Sequence, residues 1–499
     1  MFHPSPLMLM QFISVEFLLF LPVVFCAYWL LRHRVRWQNL FVVAASYLFY
    51  GWTDWRYLGL IAGYTLWSFF SGIAIGASDN EKVRKGVLWA TVAANLGVLG
   101  VYKYFDFFVY NFNRAFTAFG MPLDWVTLNL VLPVGISFYT FQALSYTIDV
   151  YRGKINPTKD VISFFAFLSF FPQLVAGPIE RADTLLPQFR RERSFDYAKG
   201  VEGMKRILWG TFKKMVIADN CALAVDYIFA HQAEMDGFNL LLGAFFFTFQ
   251  IYGDFSGYSD IAIGCGKLLG IDLMENFRFP YFSRNIKDFW QRWHISLNLW
   301  LRDYVYIPLG GNRKGTGRML LNILMVFALS GLWHGARWTY IGWGVYNGML
   351  IVGFVLLGKL FGSNKIVAGR CRMLKWGGGY VVIRNVGVAF SVILTFLVVM
   401  VGWVVFRSGC VQNAVVYVRD MFDVSGTWTF SYSQTWPVLC YIMFFIVIEF
   451  AARNRRYALD FSSTGLMKWR AVRWGIFWVL AMATFLLGGE PCSFIYFQF

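Results

Sequence analysis

Three nearly uncharged runs constrain this chain more than anything else in it: VEFLLFLPVVFCAYWLL at 15–31, LLLGAFFFTFQIY at 240–252 and VAFSVILTFLVVMVGWVVF at 388–406. A helix needs roughly 20 apolar residues to cross the ~30 Å hydrocarbon core of a bilayer, so each run approaches or fills one span. Only 15% of the residues are charged, against roughly 25% in soluble domains. These features predict an all-α polytopic membrane protein. No Lys or Arg precedes the first run, whereas a cleaved secretion signal begins with a positive region. It therefore reads as a retained span.

The net charge of +17 fits basic loops beside anionic lipid and does not require nucleic acid as a partner. Basic clusters occur at 32–36, 82–85, 152–159, 181–214, 278–318, 364–375, 453–456 and 468–473. With all of these inside, spans are expected near 11–31, 37–53, 57–77, 87–105, 128–150, 208–230, 239–264, 319–336, 338–360, 382–407, 436–451 and 472–489. An even number of crossings, about 11–12 helices in all, leaves both termini outside. Two segments resist this count. Residues 160–178 are apolar but flanked by basic residues on both sides, and 278–318 mixes eight Lys/Arg and two Asp with aromatic and Leu-rich stretches. Segments 160–200 and 265–318 are therefore expected to be cytoplasmic or re-entrant, dipping into a central chamber, because irregular backbone survives at membrane depth only inside protein or beside water. Without linker or repeat, the 499 residues read as one integral membrane domain with an outer loop at 408–435. Seven scattered cysteines offer no CxxC and no Cys/His cluster.

Five histidines occur, and two stand beside Trp-rich apolar segments: His294 in FWQRWHISLNLWLRD and His334 in ALSGLWHGARW. A group that titrates near neutrality is useful in a membrane where a proton must be gained or lost. His334 is the stronger candidate, since it ends an uncharged span and precedes Gly335, with Trp333 beside it. Packing is the bland alternative for His294. Metal ligation by the pair lacks a third ligand at useful spacing, so no metal is expected. In YGDFSGYSDIAIGCG, Asp254, Tyr258 and Asp260 fall in or near a span. Ionisable groups there usually face a cavity or a partner, unless the helix ends at the interface. The Gly-rich loop PLGGNRKGTGR at 308–318 lacks the Walker spacing but offers Asn312, Arg313 and Lys314, with Arg302 and Asp303 upstream, to the phosphates of a donor. The alternative is an ordinary cytoplasmic turn. The hydroxyl-bearing 133–154 segment is equally compatible with helix packing.

Together, LPVGISFYTFQALSYTIDVYRG, YGDFSGYSDIAIG, FWQRWHISLNLWLRDYVYIPLGGNRKG and GLWHGARWTYIGWG resemble the membrane-bound O-acyltransferase (MBOAT) family, above all its alginate-type branch. The resemblance runs from ASYLFYGW at 45–52 to the C-terminal FIYFQF and is densest at 250–345. It implies an MBOAT bundle around a chamber open to both faces, in a bacterial inner membrane. His334 matches the family's invariant histidine and His294 its second signature position. It further implies acetyl-CoA as co-substrate, with no tightly bound cofactor. The tail at 490–499 matches an aromatic-x-Tyr-Phe motif, which implies Tyr496 as an acyl relay outside. The implied partners are a secreted SGNH-like acetyltransferase and a polysaccharide acceptor. One departure is WGVYNG, where alginate-type relatives often carry a further His at the position of Asn347; this puts alginate itself in doubt as the acceptor. D-alanyl transfer to an envelope polymer is the neighbouring reading. From another class, a flippase of lipid-linked sugars would use twelve spans equally well, but repeated halves and paired broken helices are not seen.

Overall fold

The computed structural model describes residues 10–52, 54–121, 123, 125–175, 177–360, 380–423, 425–426, 429–461 and 468–495, without the side chains of 380–386. Every regular element among the described residues is a helix. Seven are long and apolar enough to cross a membrane: Tyr57–Ala77, Glu81–Lys103, Thr316–His334, Trp338–Leu360, Gly387–Arg407, Thr435–Ala452 and Arg470–Leu487.

The five other expected spans take different forms. Val15–Leu30, Val35–Gly51 and Ile136–Tyr151 have 16, 17 and 16 residues, or about 24–26 Å at 1.5 Å per residue. Nearly every side chain of Ile136–Tyr151 is buried, so its apolar character serves a protein interior. The stretch expected at 208–230 is interrupted by a π-helical turn, Lys213–Ala218, between the helices Tyr197–Phe212 and Asp219–Ala230. The fifth lies within a 32-residue helix, Gly237–Leu268. Of the two segments that resisted the count, 160–178 contains the nine-residue helix Val161–Ser169; at about 14 Å it is too short for a bilayer. The other contains two seven-residue helices, Ile286–Arg292 and Ile295–Leu301.

Contacts group the described residues into two compact units, 1–211 with 257–275, and 212–256 with 276–499. Each is assembled from separate stretches of chain, so no linker could mark their boundary in the sequence.

In the first unit, two helices meet along glycine. A Cβ on Gly210 would lie 2.5 Å from the Gly257 carbonyl oxygen, and one on Gly264 would lie 2.6 Å from that of Gly203. Small residues let helix backbones approach in this way within a membrane. Arg206 stands between these glycines, 1% exposed, and pairs with Asp260 at 2.9 Å, with Glu202 at 3.3 Å and with Glu275. Tyr258 donates to Gln11 Oε1 at 3.3 Å in the same unit. Of the cavity or partner expected for such groups, Asp260 has a partner in the buried Arg206 guanidinium, and Tyr258 ties the helix to residue 11. The spacing that puts residues on one helix face does not say which neighbour that face meets.

Glu180, in the loop after Phe171–Leu174, is buried and accepts from the Met274 amide at 2.6 Å. Burial pushes its carboxyl from 4.5 up to about 8. Between those values the folded chain holds a proton that the unfolded chain has released, so stability falls as pH rises through this window. The unfolding midpoint in detergent is expected to drop from pH 5 to pH 8, and Glu180→Gln to flatten that dependence. An unchanged slope in Glu180→Gln would assign it to another group.

In the second unit, Thr316–His334 and Trp338–Leu360 form a tight hairpin. A Cβ on Gly331 would lie 2.1 Å from the Tyr340 carbonyl oxygen, and one on Gly344 would lie 2.2 Å from that of Phe327. This seam holds the C-terminal end of the first helix, and so His334, in place.

Candidate active site

His334 is the last residue of its helix, and Gly335 continues the chain in an extended conformation. A Cβ at Gly335 would lie 2.4 Å from the Tyr340 ring, so only glycine lets the chain turn here without displacing that ring. His294 occupies the N-cap of Ile295–Leu301 with φ 45° and ψ 53°. This left-handed conformation costs a side-chain-bearing residue roughly 1–2 kcal/mol, and such strain persists where the surroundings over-determine it, often at functional sites. Here Asn276 supplies the restraint. Its carbonyl accepts from the Ile295 amide at 3.0 Å, and its side-chain oxygen accepts from Ser296 Oγ at 2.9 Å. Asn298 adds two bonds, to the carbonyls of Trp290 at 2.7 Å and Trp293 at 2.6 Å.

The two imidazoles, 40 residues apart in sequence, lie with ring centroids 6.1 Å apart. The fold places them in one site, because a short helix begins at one where a long helix ends at the other. Trp333 sits beside both, 5.7 Å from His294 and 5.0 Å from His334. Phe255 meets His294 edge-on at 4.7 Å, while Trp343 and Phe406 meet His334 at 5.1 and 5.3 Å. Both histidines are buried. Burial lowers the His294 imidazole to about 3. It is therefore neutral at working pH and presents one N–H donor and one nitrogen acceptor, not a cation.

Beyond this aromatic cage lies a cavity of about 230 Å³, lined mainly by apolar side chains including Trp290, Val326, Phe327 and Ile351. Lys287 and Arg302 line it too, as does Ser330, which shares a helix face with His334 one turn later. Trp290 packs on Trp343 at 5.7 Å, and Trp343 on His334, so two indoles link the cavity to the imidazole. Of the expected donor-binding residues, Arg302 thus reaches a cavity. Asp303 is held to Arg302 at 2.6 Å and so orients a cation; a carboxylate is itself ill suited to hold phosphate. Asn312, Arg313 and Lys314 are exposed on the loop and do not line this cavity. Gly310, Gly311 and Gly315 around them all have positive φ, which explains the glycine content of that loop.

Asp254 is buried and lies 2.8 Å from the Lys214 ammonium, which also meets Asp219 at 2.7 Å. Asn347 donates to the Trp343 carbonyl at 2.8 Å and is buried within its helix. Tyr496 lies outside the described residues. Sequence reasoning missed Asn276, whose neighbourhood carries no pattern that announces it. It also missed Lys214 and Asp219, although a Lys pair followed by Asp inside an expected span was a readable signal, since charges there seek partners.

The membrane-bound O-acyltransferase family model matches residues 157–399, which include both histidines. The chain is 42% identical to the probable alginate O-acetylase AlgI of Pseudomonas putida over 424 residues, covering 85% of this chain and 82% of that protein. With the protein of that name from Pseudomonas aeruginosa, identity is 43% over 426 residues, 85% of this chain and 76% of the relative. The peptidoglycan O-acetyltransferase of Helicobacter pylori is 33% identical over 436 residues, 82% of this chain and 78% of the relative.

Proposed function

Because this chain belongs to the membrane-bound O-acyltransferase family, and is thereby a multi-pass membrane enzyme and not a flippase, we propose that it moves an acetyl group from cytoplasmic acetyl-CoA across the inner membrane for O-acetylation of an envelope polysaccharide. The observation that carries this reading is the buried histidine pair, 6.1 Å apart in an aromatic cage. The relatives that cover most of the chain are named for O-acetyl transfer.

In this reading His334 is the general base. It takes the proton of an acceptor hydroxyl, whose oxygen attacks the thioester carbonyl; the C–S bond breaks, and the coenzyme A thiolate leaves with that proton. A positioned base of this kind is most efficient when its pKa lies near the operating pH. His294, neutral because it is buried, donates a hydrogen bond to the oxyanion that forms at the carbonyl, a role that needs a fixed donor in a dry site. Its left-handed backbone, held by Asn276, supplies that fixity. Arg302, oriented by Asp303, holds donor phosphates, and Asn312, Arg313 and Lys314 extend that basic surface.

The first acceptor is the Tyr496 phenol on the outer side, in keeping with the even crossing number inferred from the charge pattern. The acetyl ester then passes to a sugar hydroxyl, directly or through a secreted SGNH-like acetyltransferase, and Tyr496 regains its proton. The test is peptide mapping of the purified protein after incubation with isotopically labelled acetyl-CoA. Label is expected on the C-terminal peptide, and Tyr496→Phe is expected to remove it together with transfer to polysaccharide. Full transfer by Tyr496→Phe would eliminate the relay while leaving the histidine chemistry standing.

A further inference from the structure

The segment that leads toward the C-terminus is fastened beside the histidine pair by an ionic cluster that the chemistry above leaves unused. Its anchor is the π-helical turn Lys213–Ala218. Such turns open the regular helical hydrogen-bond ladder and recur at functional sites. Here the Met215 carbonyl accepts from the Gly489 amide at 3.0 Å, and Asn220 next to the turn donates to the Leu487 carbonyl at 2.9 Å.

The turn also aims Lys214 inward. Its ammonium lies 2.7 Å from Asp219 Oδ1 and 2.8 Å from Asp254 Oδ1, and donates to the Cys492 carbonyl at 2.9 Å. Asp254 then accepts, through Oδ2, from the Ile495 amide at 2.6 Å. None of the three charged side chains is more than 3% exposed. Buried charges are tolerated only when paired and hydrogen-bonded. The Ile495 amide adds to the pairing by Lys214 a short hydrogen bond to the Asp254 carboxyl. Cluster and tail therefore stabilise each other.

The side chains continue the connection. The Phe494 ring lies 6.1 Å from Phe255, and Phe255 lies 4.7 Å from His294. Neighbouring residues of one helix thus divide the work, Asp254 holding the tail's backbone and Phe255 relaying its side chain to the imidazole.

We infer that Lys214, Asp219 and Asp254 form a clamp that seats residues 489–495 against the histidine site, fixing the point from which the chain continues to Tyr496. The clamp's role in turnover rests on the reading of Tyr496 as acceptor; the seating itself does not. These are positioning residues, acting through the tail.

The test uses full-length Lys214→Gln and Asp254→Asn in detergent. The first readout is alkylation of Cys492, measured by peptide mass spectrometry against the exposed Cys410. Its rate is expected to rise about tenfold or more, the factor that losing one hydrogen bond to a charged group brings to a local opening equilibrium. The second is turnover, expected to fall while KM for acetyl-CoA stays at the parental value. In a Tyr496→Phe background the clamp variants should lower turnover no further. Parental labelling of Cys492 in folded variants would overturn the clamp. Faster labelling with unchanged turnover, in a protein where Tyr496→Phe is inactive, would overturn its positioning role. Faster labelling alongside a fully active Tyr496→Phe would keep the clamp and reject the acceptor. If Lys214→Gln does not fold, Asp254→Asn decides, since it keeps the side-chain volume while putting an NH2 donor in place of one of the two oxygens that accept from Lys214 and Ile495.

Discussion

Acetyl transfer by His334→Ala is expected to fall by about 10²–10⁴-fold, the range a positioned general base contributes. That corresponds to roughly 3–5 kcal/mol of transition-state stabilisation. The fold should survive, because His334 ends its helix and the Gly331 and Gly344 seam that holds this hairpin stays intact. The measurement is release of coenzyme A from acetyl-CoA in the presence of acceptor, alongside size exclusion and thermal unfolding in detergent. A folded variant that keeps the parental rate would remove His334 from the chemistry. His294→Asn makes an informative partner. Asparagine tolerates the left-handed backbone that His294 adopts but changes the group facing the aromatic cage, so a fall in kcat with unchanged stability separates chemistry from strain.

The largest effect on folding is expected from Arg206→Met. Arg206 is 1% exposed and its three carboxylate partners, Glu202, Asp260 and Glu275, are 12–20% exposed. Removing one member of a buried ionic set leaves uncompensated charge and costs about 3–5 kcal/mol; partial exposure of the carboxylates places the loss toward the lower end. Against a total stability of about 5–15 kcal/mol, that lowers the thermal midpoint clearly and reduces the yield of folded protein. Arg206→Lys should recover only part of the loss, because an ammonium cannot reproduce the guanidinium's planar fork. Thermal unfolding of parent and both variants in one detergent checks this ordering. A stable Arg206→Met would mean that the carboxylates are satisfied from elsewhere.

Much of this molecule was legible before folding was considered. Seven of the expected spans coincide with helices long and apolar enough to cross a membrane, because the cost of placing polar groups in hydrocarbon is paid residue by residue and shows in composition. The two histidines were legible for the same reason, as titratable groups among apolar neighbours. Ile136–Tyr151 was legible as apolar but not as interior, because a helix buried in protein and one buried in lipid carry similar side chains. Asp260 was legible only in part, because a charge inside an apolar stretch announces a partner without naming it, and the partner was Arg206, 54 residues away.

The sequence by itself determined the solvent of this protein, the helical class and the two candidate histidines, since these follow from local transfer free energies and from motif. Tertiary structure alone decided that His294 and His334 stand side by side, that Asn276 holds one of them in a strained conformation, and that Lys214 and Asp254 grip the tail. Those facts depend on contacts between residues tens to hundreds of positions apart. Helical periodicity specifies which face is buried, and only packing selects what lies against it.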